Sequence, residues 1–463
     1  MTANSFSILA LTSFATTAAL GDDSSSTPPR DRFLLLDSRV VARAEHAKLV
    51  PGTVRKHPAN PLFGEDRPWE KRFDNLYGNI VYDAATKRYR CWYCPFIVDH
   101  SAKGMTLEER AKPYRPPKGR EMALCYAESG DGIHWEKPSL GLVDYEGGTA
   151  NNLVWRGIHG AGVFRDPHAS DPQRAYKTIF QGLKVSASPD GLHWAPPHRL
   201  EGIQVRGDTH NNAFWAPTLG KYVAMTRTLG PLGRQVARIE SADFVNWSEP
   251  DVVLEGLDKS LQTYAMPVCF HGGVYLGLVA IHAQPPVDRV WTELAWSPDT
   301  RAWHRVAPGT PLIPCSETPL AHDYGCVYAC AGPVFLKDEI RLYYGGSDYL
   351  HFGWRTGSLC LATLRPDGFA GYEPESPDQG AVIVTAAIPF TGREIRISAD
   401  VAAGGSVVAS VVDADGMTVR TADPVRETAT DGRLNWSDPL APEVIRLRFE
   451  LRKAKLYSFS FGD

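Results

Sequence analysis

A serine, an aspartate and a tryptophan recur together four times along this chain at nearly constant spacing, and this repeat constrains the fold more than any other feature. The four copies are Ser129-Gly-Asp131-Gly-Ile-His-Trp135, Ser188-Pro-Asp190-Gly-Leu-His-Trp194, Ser241-Ala-Asp243-Phe-Val-Asn-Trp247 and Ser297-Pro-Asp299-Thr-Arg-Ala-Trp303. They follow one another at roughly 53 to 59 residues, a period close to that of propeller blades. The serine and aspartate can bond the backbone of a tight turn, and the tryptophan can pack between neighbouring sheets. The repeat therefore predicts a β-propeller in which these turns are structural.

Each repeat unit opens with a polar segment, followed by runs of apolar, aromatic and β-branched residues that predict strands. Five such segments occur: Asp74-Asn-Leu-Tyr-Gly, His159-Gly-Ala-Gly, Asp208-Thr-His-Asn-Asn, Gln262-Thr-Tyr-Ala-Met and Asp323-Tyr-Gly-Cys-Val. The fifth unit lacks the full turn motif and has Arg365-Pro-Asp367-Gly-Phe369 in its place. We predict an all-β fold with a five-bladed β-propeller over residues 32–378, closed by a strand from the residues between Asp31 and Asp74.

The character of the sequence changes after about residue 380. Alternating or apolar runs at residues 393–401, 406–412, 444–451 and 455–461 predict antiparallel strands. We therefore predict that residues 379–463 form a small C-terminal β-sandwich.

The N-terminal residues suggest export. Residues 5–21 are uncharged and moderately apolar, and residues 22–31 are polar. This pattern predicts a signal peptide over residues 1–21, a linker over residues 22–31, and a secreted or periplasmic protein, with a disordered tail as the alternative. No later run approaches the ~20 apolar residues of a membrane helix, so no membrane partner is expected.

The charge and the cysteine content exclude further classes of function. The formal net charge is −4, without a run of Lys or Arg, so nucleic acid is not expected as a partner. Cys91 and Cys94 have a redox or zinc spacing but lie in a β-rich run, which favours buried strand cysteines. Cys326 and Cys330 could each form a disulfide in an exported protein, with partners that the sequence does not select. No cofactor or metal is predicted.

The chain resembles glycoside hydrolases of the five-bladed propeller type. Five units with Ser-x-Asp-Gly-x-x-Trp turns and a C-terminal sandwich are similar to family 32 fructosidases and to the related enzymes of family 43. The phrases Tyr126-Ala-Glu-Ser-Gly-Asp-Gly-Ile-His-Trp-Glu-Lys-Pro138 and Ala454-Lys-Leu-Tyr-Ser-Phe-Ser-Phe461 look like those of bacterial glycosyl hydrolases. The resemblance covers almost the whole chain after residue 60, but it is mainly architectural, and fold alone does not fix function.

The resemblance implies a pair of carboxylates that flank a glycosidic bond, placed at the starts of the innermost strands. That rule selects Asp74, Asp208 and Asp323 as catalytic candidates, each of which could instead cap a strand or form a turn. A ring of three aspartates would raise the pKa of one member and so supply a general acid. The acid glutamate that the family carries in blade four has no counterpart in Gln262-Thr-Tyr-Ala-Met-Pro267, so the general acid must come from elsewhere, with Asp323 or Glu317 as candidates.

A triplet in unit two and a set of polar and aromatic residues also bear on the predicted site. Arg165-Asp166-Pro167 matches a family triplet in letters, but its position predicts the end of the inner strand of blade two. Polar and aromatic residues near the predicted funnel could bind sugar hydroxyls or stack on a sugar face. These substrate-binding candidates are His159, His210, Tyr264, Glu317, Tyr324, His351 and Trp354.

Three hypotheses of function follow. The first is a secreted glycoside hydrolase acting on a plant or algal glycan or oligosaccharide, with a carbohydrate as its partner. The second is a carbohydrate-binding propeller without catalysis. The third is a sialidase-like exo-glycosidase, for which Arg72 and Arg206 lie close to two opening segments. Whether carboxylates or arginines converge at the channel mouth discriminates between them.

Overall fold

A computed structural model describes residues 32–84, 86–390, 394–440 and 442–462. The predicted signal peptide and linker lie outside the described residues. One short helix, α1 (Leu107–Arg110), and one 3-10 turn (Pro172–Arg174) stand among 35 strands in the described ranges. The prediction of a nearly all-β chain is confirmed. No helix of the described part is long and apolar enough to cross a membrane.

Five short strands precede the first repeat unit. They are β1 (Arg32–Leu34), β2 (Val41–Glu45), β3 (Ala47–Pro51), β4 (Arg55–Lys56) and β5 (Phe63–Gly64).

Five successive antiparallel units form the central part of the chain, and we call them units one to five. Unit one contains β6 (Asn79–Asp83), β7 (Arg88–Tyr93), β8 (Phe96–Val98), β9 (Glu121–Ser129), β10 (Trp135–Glu136) and β11 (Leu153–Arg156). Unit two contains β12 (Gly162–Arg165), β13 (Tyr176–Phe180), β14 (Lys184–Ser188) and β15 (His198–Arg199). Unit three contains β16 (Asn212–Ala216), β17 (Lys221–Gly230), β18 (Gly233–Ser241) and β19 (Asp251–Glu255).

Units four and five complete this part. Unit four contains β20 (Leu261–Thr263), β21 (Val268–His271), β22 (Val274–Ala283), β23 (Arg289–Ser297) and β24 (His304–Arg305). Unit five contains β25 (Cys326–Ala329), β26 (Val334–Phe335), β27 (Ile340–Ser347) and β28 (Gly357–Leu364), and β4 and β5 pair with β28. An N-terminal segment thus supplies the outer strands of the last unit, as predicted for the residues before Asp74.

Neighbouring units contact one another in chain order. Strand β12 contacts β6 and β16, and β16 contacts β21. Unit five returns to unit one, because the backbone of Ala331 accepts from Ile80 N at 2.9 Å and donates to Gly78 O at 2.9 Å. The contacts therefore run from unit one to unit four along the chain and join unit five to unit one.

The repeated Ser/Asp motif forms a tight turn in each of the first four units, as predicted. In unit two, Asp190 Oδ1 accepts from Leu192 N at 2.8 Å and from His193 N at 2.8 Å, while Ser188 Oγ accepts from Gly191 N at 2.9 Å. The same pattern recurs around Asp131, Asp243 and Asp299.

These turns also bind the preceding unit. Trp92 Nε1 of unit one donates to Gly191 O in the turn of unit two at 2.7 Å, and Arg90 Nη2 donates to Asp190 O at 2.5 Å. Since Gly191 has φ 80° and a Cβ there would lie 2.5 Å from the Trp92 ring, only glycine fits this contact. The motif therefore joins units as well as reversing the chain.

Unit five binds the turn of unit one in the same way. Tyr343 OH donates to Gly132 O at 2.9 Å, and Arg341 Nη1 donates to Asp131 O at 2.5 Å. The contact between the last and first units thus repeats the contact between the first and second.

Replacing Asp190 by alanine is expected to lower the free energy of unfolding by about 2 kcal/mol, because two backbone N–H groups lose their acceptor. Urea denaturation followed by circular dichroism measures this. Asp338→Ala, at an exposed position, is the matched control and should change stability by less than about 0.5 kcal/mol. Equal effects of both substitutions would contradict the structural role of the motif.

The remaining strands form a separate sheet at the C-terminal end. They are β29 (Ala370–Pro374), β30 (Ala381–Thr385), β31 (Ile388–Pro389), β32 (Glu394–Val412), β33 (Thr418–Thr421), β34 (Ala429–Arg433) and β35 (Val444–Gly462). Strands β1, β2 and β3 pair with β35, β30 and β29, respectively. Residues 32–51 therefore pair with this sheet, although the predicted propeller began at residue 32. The division at residue 379 stays a prediction.

The apolar side chains of this sheet form their own core. Phe33 stacks on Phe459 with ring centroids 4.8 Å apart, and Phe449 packs against Phe459 at 5.9 Å. Strand β1 contributes Phe33 to this core, whereas β4 and β5 pair with β28 of unit five. The N-terminal segment therefore connects the sheet to the units.

The eight cysteines are free. Cys91 and Cys94 are buried, as predicted, and burial raises the pKa of the Cys91 thiol, so it is not a reactive thiolate. Cys326 and Cys330 are also free and buried.

Candidate functional site

Three arginines surround the carboxylate of Asp74 at the opening of unit one. Arg355 Nη2 donates to Asp74 Oδ1 at 2.7 Å. Arg72 Nε lies 3.6 Å and Arg120 Nη2 lies 3.9 Å from the same oxygen. The Asp74 side chain is 16% exposed, whereas Arg355 and Arg72 are nearly fully buried. The Asp74 carboxylate is thus paired with cations and keeps a small exposed surface.

These arginines come from different parts of the chain. Arg72 lies just before β6, Arg120 just before β9, and Arg355 just before β28 of unit five. Arg355 Nη1 also donates to the backbone oxygen of Asp74 at 2.5 Å and to Ser347 Oγ at 3.0 Å. Contact between units five and one therefore assembles this group.

A second carboxylate, Asp208, stands at the opening of unit three. Its Oδ2 lies 2.8 Å from Arg227 Nη2, and its Oδ1 lies 3.1 Å from His159 Nε2. Asp208 is 38% exposed and His159 is 18% exposed. Arg227 in turn lies over the ring of Tyr264, 4.9 Å from its centroid.

Aromatic side chains connect the two carboxylates. Arg120 lies 3.4 Å above the centroid of the Phe96 ring. Phe96 and Tyr77 pack against His159 with centroids 6.4 Å and 5.6 Å apart. The Asp74 and Asp208 groups therefore border one cluster, which we call the funnel cluster: Asp74, Tyr77, Phe96, Arg120, His159, Asp208, Arg227 and Tyr264.

Both carboxylates are ionised at neutral pH. Burial alone would raise the pKa of Asp74, but Arg355, Arg72 and Arg120 outweigh burial and hold it below its ordinary value. The nearby His159 and the charge of Arg227 hold the pKa of Asp208 below its ordinary value. The expectation that neighbouring aspartates would raise one of these pKa values is wrong, because each aspartate has cations beside it.

Asp323 lies apart from the funnel cluster. Its carboxylate is buried between the last strands of unit five, where Oδ2 accepts from Tyr344 OH at 2.8 Å and lies 2.6 Å from Lys56 Nζ. Among the described residues, none of the groups that contact Asp74 or Asp208 also contacts this carboxylate. The structure thus brings two of the three predicted aspartates together and leaves the third in an ion pair.

Two of the predicted sugar-binding histidines are enclosed by protein. His210 Nε2 lies 3.0 Å from Asn79 Oδ1, and burial lowers its pKa to about 3. His351 Nδ1 lies 3.1 Å from Tyr328 OH, and burial with the nearby Arg355 lowers its pKa. Both are therefore neutral and already bonded.

The other predicted residues divide between the site and the surface. His159 and Tyr264 belong to the funnel cluster, and Trp354 packs on Tyr114 with centroids 5.0 Å apart. Arg72 Cζ lies 4.2 Å from the centroid of the Tyr114 ring, so Trp354 lies next to the arginines that surround Asp74.

Glu317 and Tyr324 lie elsewhere. Both contact Arg289, which lies 3.4 Å from Glu317 Oε1 and 4.9 Å from the Tyr324 ring centroid. Glu317 is 88% exposed. The structure therefore does not bring these two into the funnel cluster.

Asp166, which matches the family triplet in letters, is enclosed within the protein. It follows β12 and accepts from Tyr222 OH at 2.7 Å and from Lys177 Nζ. The prediction that this triplet ends the inner strand of unit two is confirmed.

Glu65 was not singled out by its sequence context, yet it supports the site. Its Oε1 accepts from Phe73 N at 2.6 Å and from Gly357 N at 2.8 Å. Phe73 directly precedes Asp74, and Gly357 follows Arg355 by two residues. Burial, aided by Asp348, raises the Glu65 pKa to about 8. Glu65 therefore carries a proton at neutral pH and fixes the two segments that bear the Asp74–Arg355 pair.

The Glu65→Gln variant is expected to gain stability relative to the wild type as the pH rises from 5 to 9. Because the folded-state pKa is raised from 4.5 to about 8, the contribution of Glu65 is complete below pH 4.5 and is lost as the pH rises through 8. Glutamine keeps the Oε1 acceptor but does not ionise. Denaturation at several pH values measures the difference, with the exposed Glu136→Gln as control. A difference independent of pH would contradict the raised pKa.

No protein-family model matches the chain, and no curated protein is similar to it in sequence. Solved structures do match. A glycosyl hydrolase from Bacteroides ovatus is 15% identical, with 67% of this chain and 93% of that chain covered and a TM-score of 0.46. The β-1,2-mannobiose phosphorylase of Listeria innocua is 15% identical, with 68% and 97% covered and a TM-score of 0.46.

A third match is a fructofuranosidase from Schwanniomyces occidentalis, 10% identical, with 86% of this chain and 96% of that chain covered and a TM-score of 0.41. The chain has structural matches, at low sequence identity, among the phosphorylases and glycoside hydrolases of family 130 and the fructofuranosidases of family 32.

Proposed function

We propose that this chain is a glycoside hydrolase in which Asp74 and Asp208 are the functional carboxylates. The observation that carries the proposal is their convergence. Each stands just before the first strand of its unit, each is partly exposed, and both border the funnel cluster. Hydrolysis of a glycosidic bond requires a general acid and an ionised carboxylate that acts as nucleophile or base, and either aspartate can supply the ionised carboxylate.

A closed five-bladed propeller is part of the same proposal. The return contact from unit five to unit one through Ala331, and the turn contacts of Arg341 and Tyr343, support closure. In a closed ring the opening segments of all units surround one channel. We also propose that the protein is secreted or periplasmic, on the basis of the apolar N-terminal residues.

The electrostatics limit the role of each carboxylate. A nucleophile or general base must be ionised, and the lowered pKa values of Asp74 and Asp208 suit that role. Neither suits a general acid at neutral pH. The proton that the leaving oxygen takes up must therefore come from a group other than these two carboxylates.

A second candidate is an exo-glycosidase that recognises an acidic sugar, as sialidases do. The specific observation in its favour is the convergence of Arg72, Arg120 and Arg355 on the single carboxylate of Asp74. Asp99 Oδ2 lies 2.7 Å from Arg120 Nε, so three guanidinium groups stand against two carboxylates and leave one net positive charge, which suits a sugar carboxylate.

A panel of plant and algal polysaccharides and aryl glycosides, including aryl sialosides and uronides, tests both candidates. Release of reducing ends from a neutral glycan supports the first, and turnover confined to acidic glycosides supports the second. Binding of a glycan without any turnover would instead support the carbohydrate-binding propeller and contradict hydrolysis.

A further inference from the structure

A polar cleft of 560 Å³ opens beside His159, between β13 and β14 of unit two and the segment that leads to unit three. Its polar lining side chains are His159, Gln181, Lys184, Arg199, Gln204 and Arg206. The cleft is continuous with the funnel cluster, because His159 borders both and Arg206 stands two residues before Asp208.

The charge of the cleft is positive. Lys184, Arg199 and Arg206 are exposed, and no carboxylate of the described residues lies within 4.0 Å of their charged groups. No acidic residue lines the cleft. Since the whole chain has a formal net charge of −4, this concentration of cations is local and not a property of the surface at large.

The cleft also lacks an exposed surface on which a neutral sugar ring would stack. Phe180 is its aromatic lining residue, and that side chain is 5% exposed. Sites for neutral sugars combine stacking with hydrogen-bonding groups. Arg206 lies close enough to Asp208 to help lower the pKa of that carboxyl, but it forms no ion pair with it. Three cations that have no ion-pair partner in the described residues fit a ligand that carries oxyanions.

We propose that this cleft binds a carboxylate or sulfate group on a sugar unit adjacent to the one held at Asp74 and Asp208. The inference rests on the proposed function, because it places a second part of the same glycan. The cleft selects acidic glycans, and the backbone of Gly182, which donates to Arg206 O at 2.8 Å, holds the segment that carries Arg206.

Binding of defined oligosaccharides tests the cleft. The probes are hexagalacturonate for carboxylate, a carrageenan hexasaccharide for sulfate and maltohexaose as the neutral control, with inorganic sulfate for a free ion. Calorimetry compares the wild type with Lys184→Gln/Arg199→Gln/Arg206→Gln. The control variant is Arg426→Gln/Arg452→Gln/Lys453→Gln, which removes the same charge at exposed C-terminal positions.

The triple variant in the cleft is expected to lose about tenfold in affinity for at least one acidic hexasaccharide, from three solvated ion pairs, and the control variant to lose little. The difference should shrink as ionic strength rises. Preference for one acidic probe identifies carboxylate or sulfate as the group bound. Equal losses in both variants, equal affinity for maltohexaose, or retention of binding by the cleft variant would overturn the proposal.

Failure of the proposed function would look different. Asp74→Asn should lower turnover by about 10³-fold, and the cleft substitutions should cause the same loss of affinity for the acidic probe in the Asp74→Asn background as in the wild type. If no glycan is hydrolysed but the cleft variant still loses affinity, the hydrolase proposal fails and the cleft stands. If hydrolysis occurs and the cleft variant binds as the wild type does, the cleft proposal alone fails.

Discussion

Replacing Asp74 by asparagine is expected to lower turnover of the best glycan substrate by about 10³-fold. Asparagine keeps an oxygen that can accept from Arg355, so the arrangement in which Nη2 lies 2.7 Å from Oδ1 can persist. It removes the charge that the three arginines stabilise in the ionised state. A loss of kcat is therefore expected, together with some loss of stability because the buried Arg355 and Arg72 lose their carboxylate partner. Initial rates corrected for the folded fraction from a melting curve separate the two effects.

The matched control for this substitution is Asp323→Asn. Asp323 is buried with Lys56 and Tyr344 away from the funnel cluster, so its loss should reduce stability and leave kcat of the folded fraction within about threefold. Turnover by Asp74→Asn at the wild-type rate would remove Asp74 from the reaction. A larger kcat loss in Asp323→Asn would reverse the assignment.

Replacing Trp92 by alanine is expected to lower the free energy of unfolding by about 3–5 kcal/mol, because a fully buried indole leaves a cavity. Trp92 is 0% exposed and packs on Tyr126 and Tyr176 with centroids 5.4 Å and 5.6 Å apart. Its Nε1 also donates to Gly191 O in the turn of unit two. Equilibrium denaturation measures the loss.

Trp92→Phe separates the two contributions. It keeps an aromatic ring and removes the hydrogen bond to Gly191 O, so a smaller loss of about 1–3 kcal/mol is expected. Leu229→Ala, at a side chain that is 77% exposed, should change stability little. A loss below about 1 kcal/mol in Trp92→Ala would contradict the packing between units one and two.

The turns could be predicted from sequence because their chemistry is local. Ser188 and Asp190 bond amides within three residues, and this spacing is visible in the letters. Counting from each turn to the opening of its unit also located Asp74 and Asp208. Local rules fail for Asp323, because its partner Lys56 comes from a distant strand that pairs with unit five.

No sequence pattern comparable to the turn motif predicted the cations of the site. Arg355 reaches Asp74 from a position 281 residues away, and Glu65 accepts from Gly357 N across 292 residues. Strand alternation predicts faces but not partners, which is also why the pairing of β1 with β35 was not foreseen. The lowered pKa of Asp74 follows from these distant arginines, so no local pattern predicted it.

A double-mutant cycle on Asp74 and Asp208 tests the central claim most directly. Values of kcat/KM for Asp74→Asn, Asp208→Asn and the double variant are compared with the wild type on one substrate. If both carboxylates serve one reaction, each single substitution should lower kcat/KM severely. The double variant should then have a kcat/KM no more than about threefold below that of the less active single variant. Independent, multiplicative losses, or wild-type turnover in both single variants, would contradict a shared site.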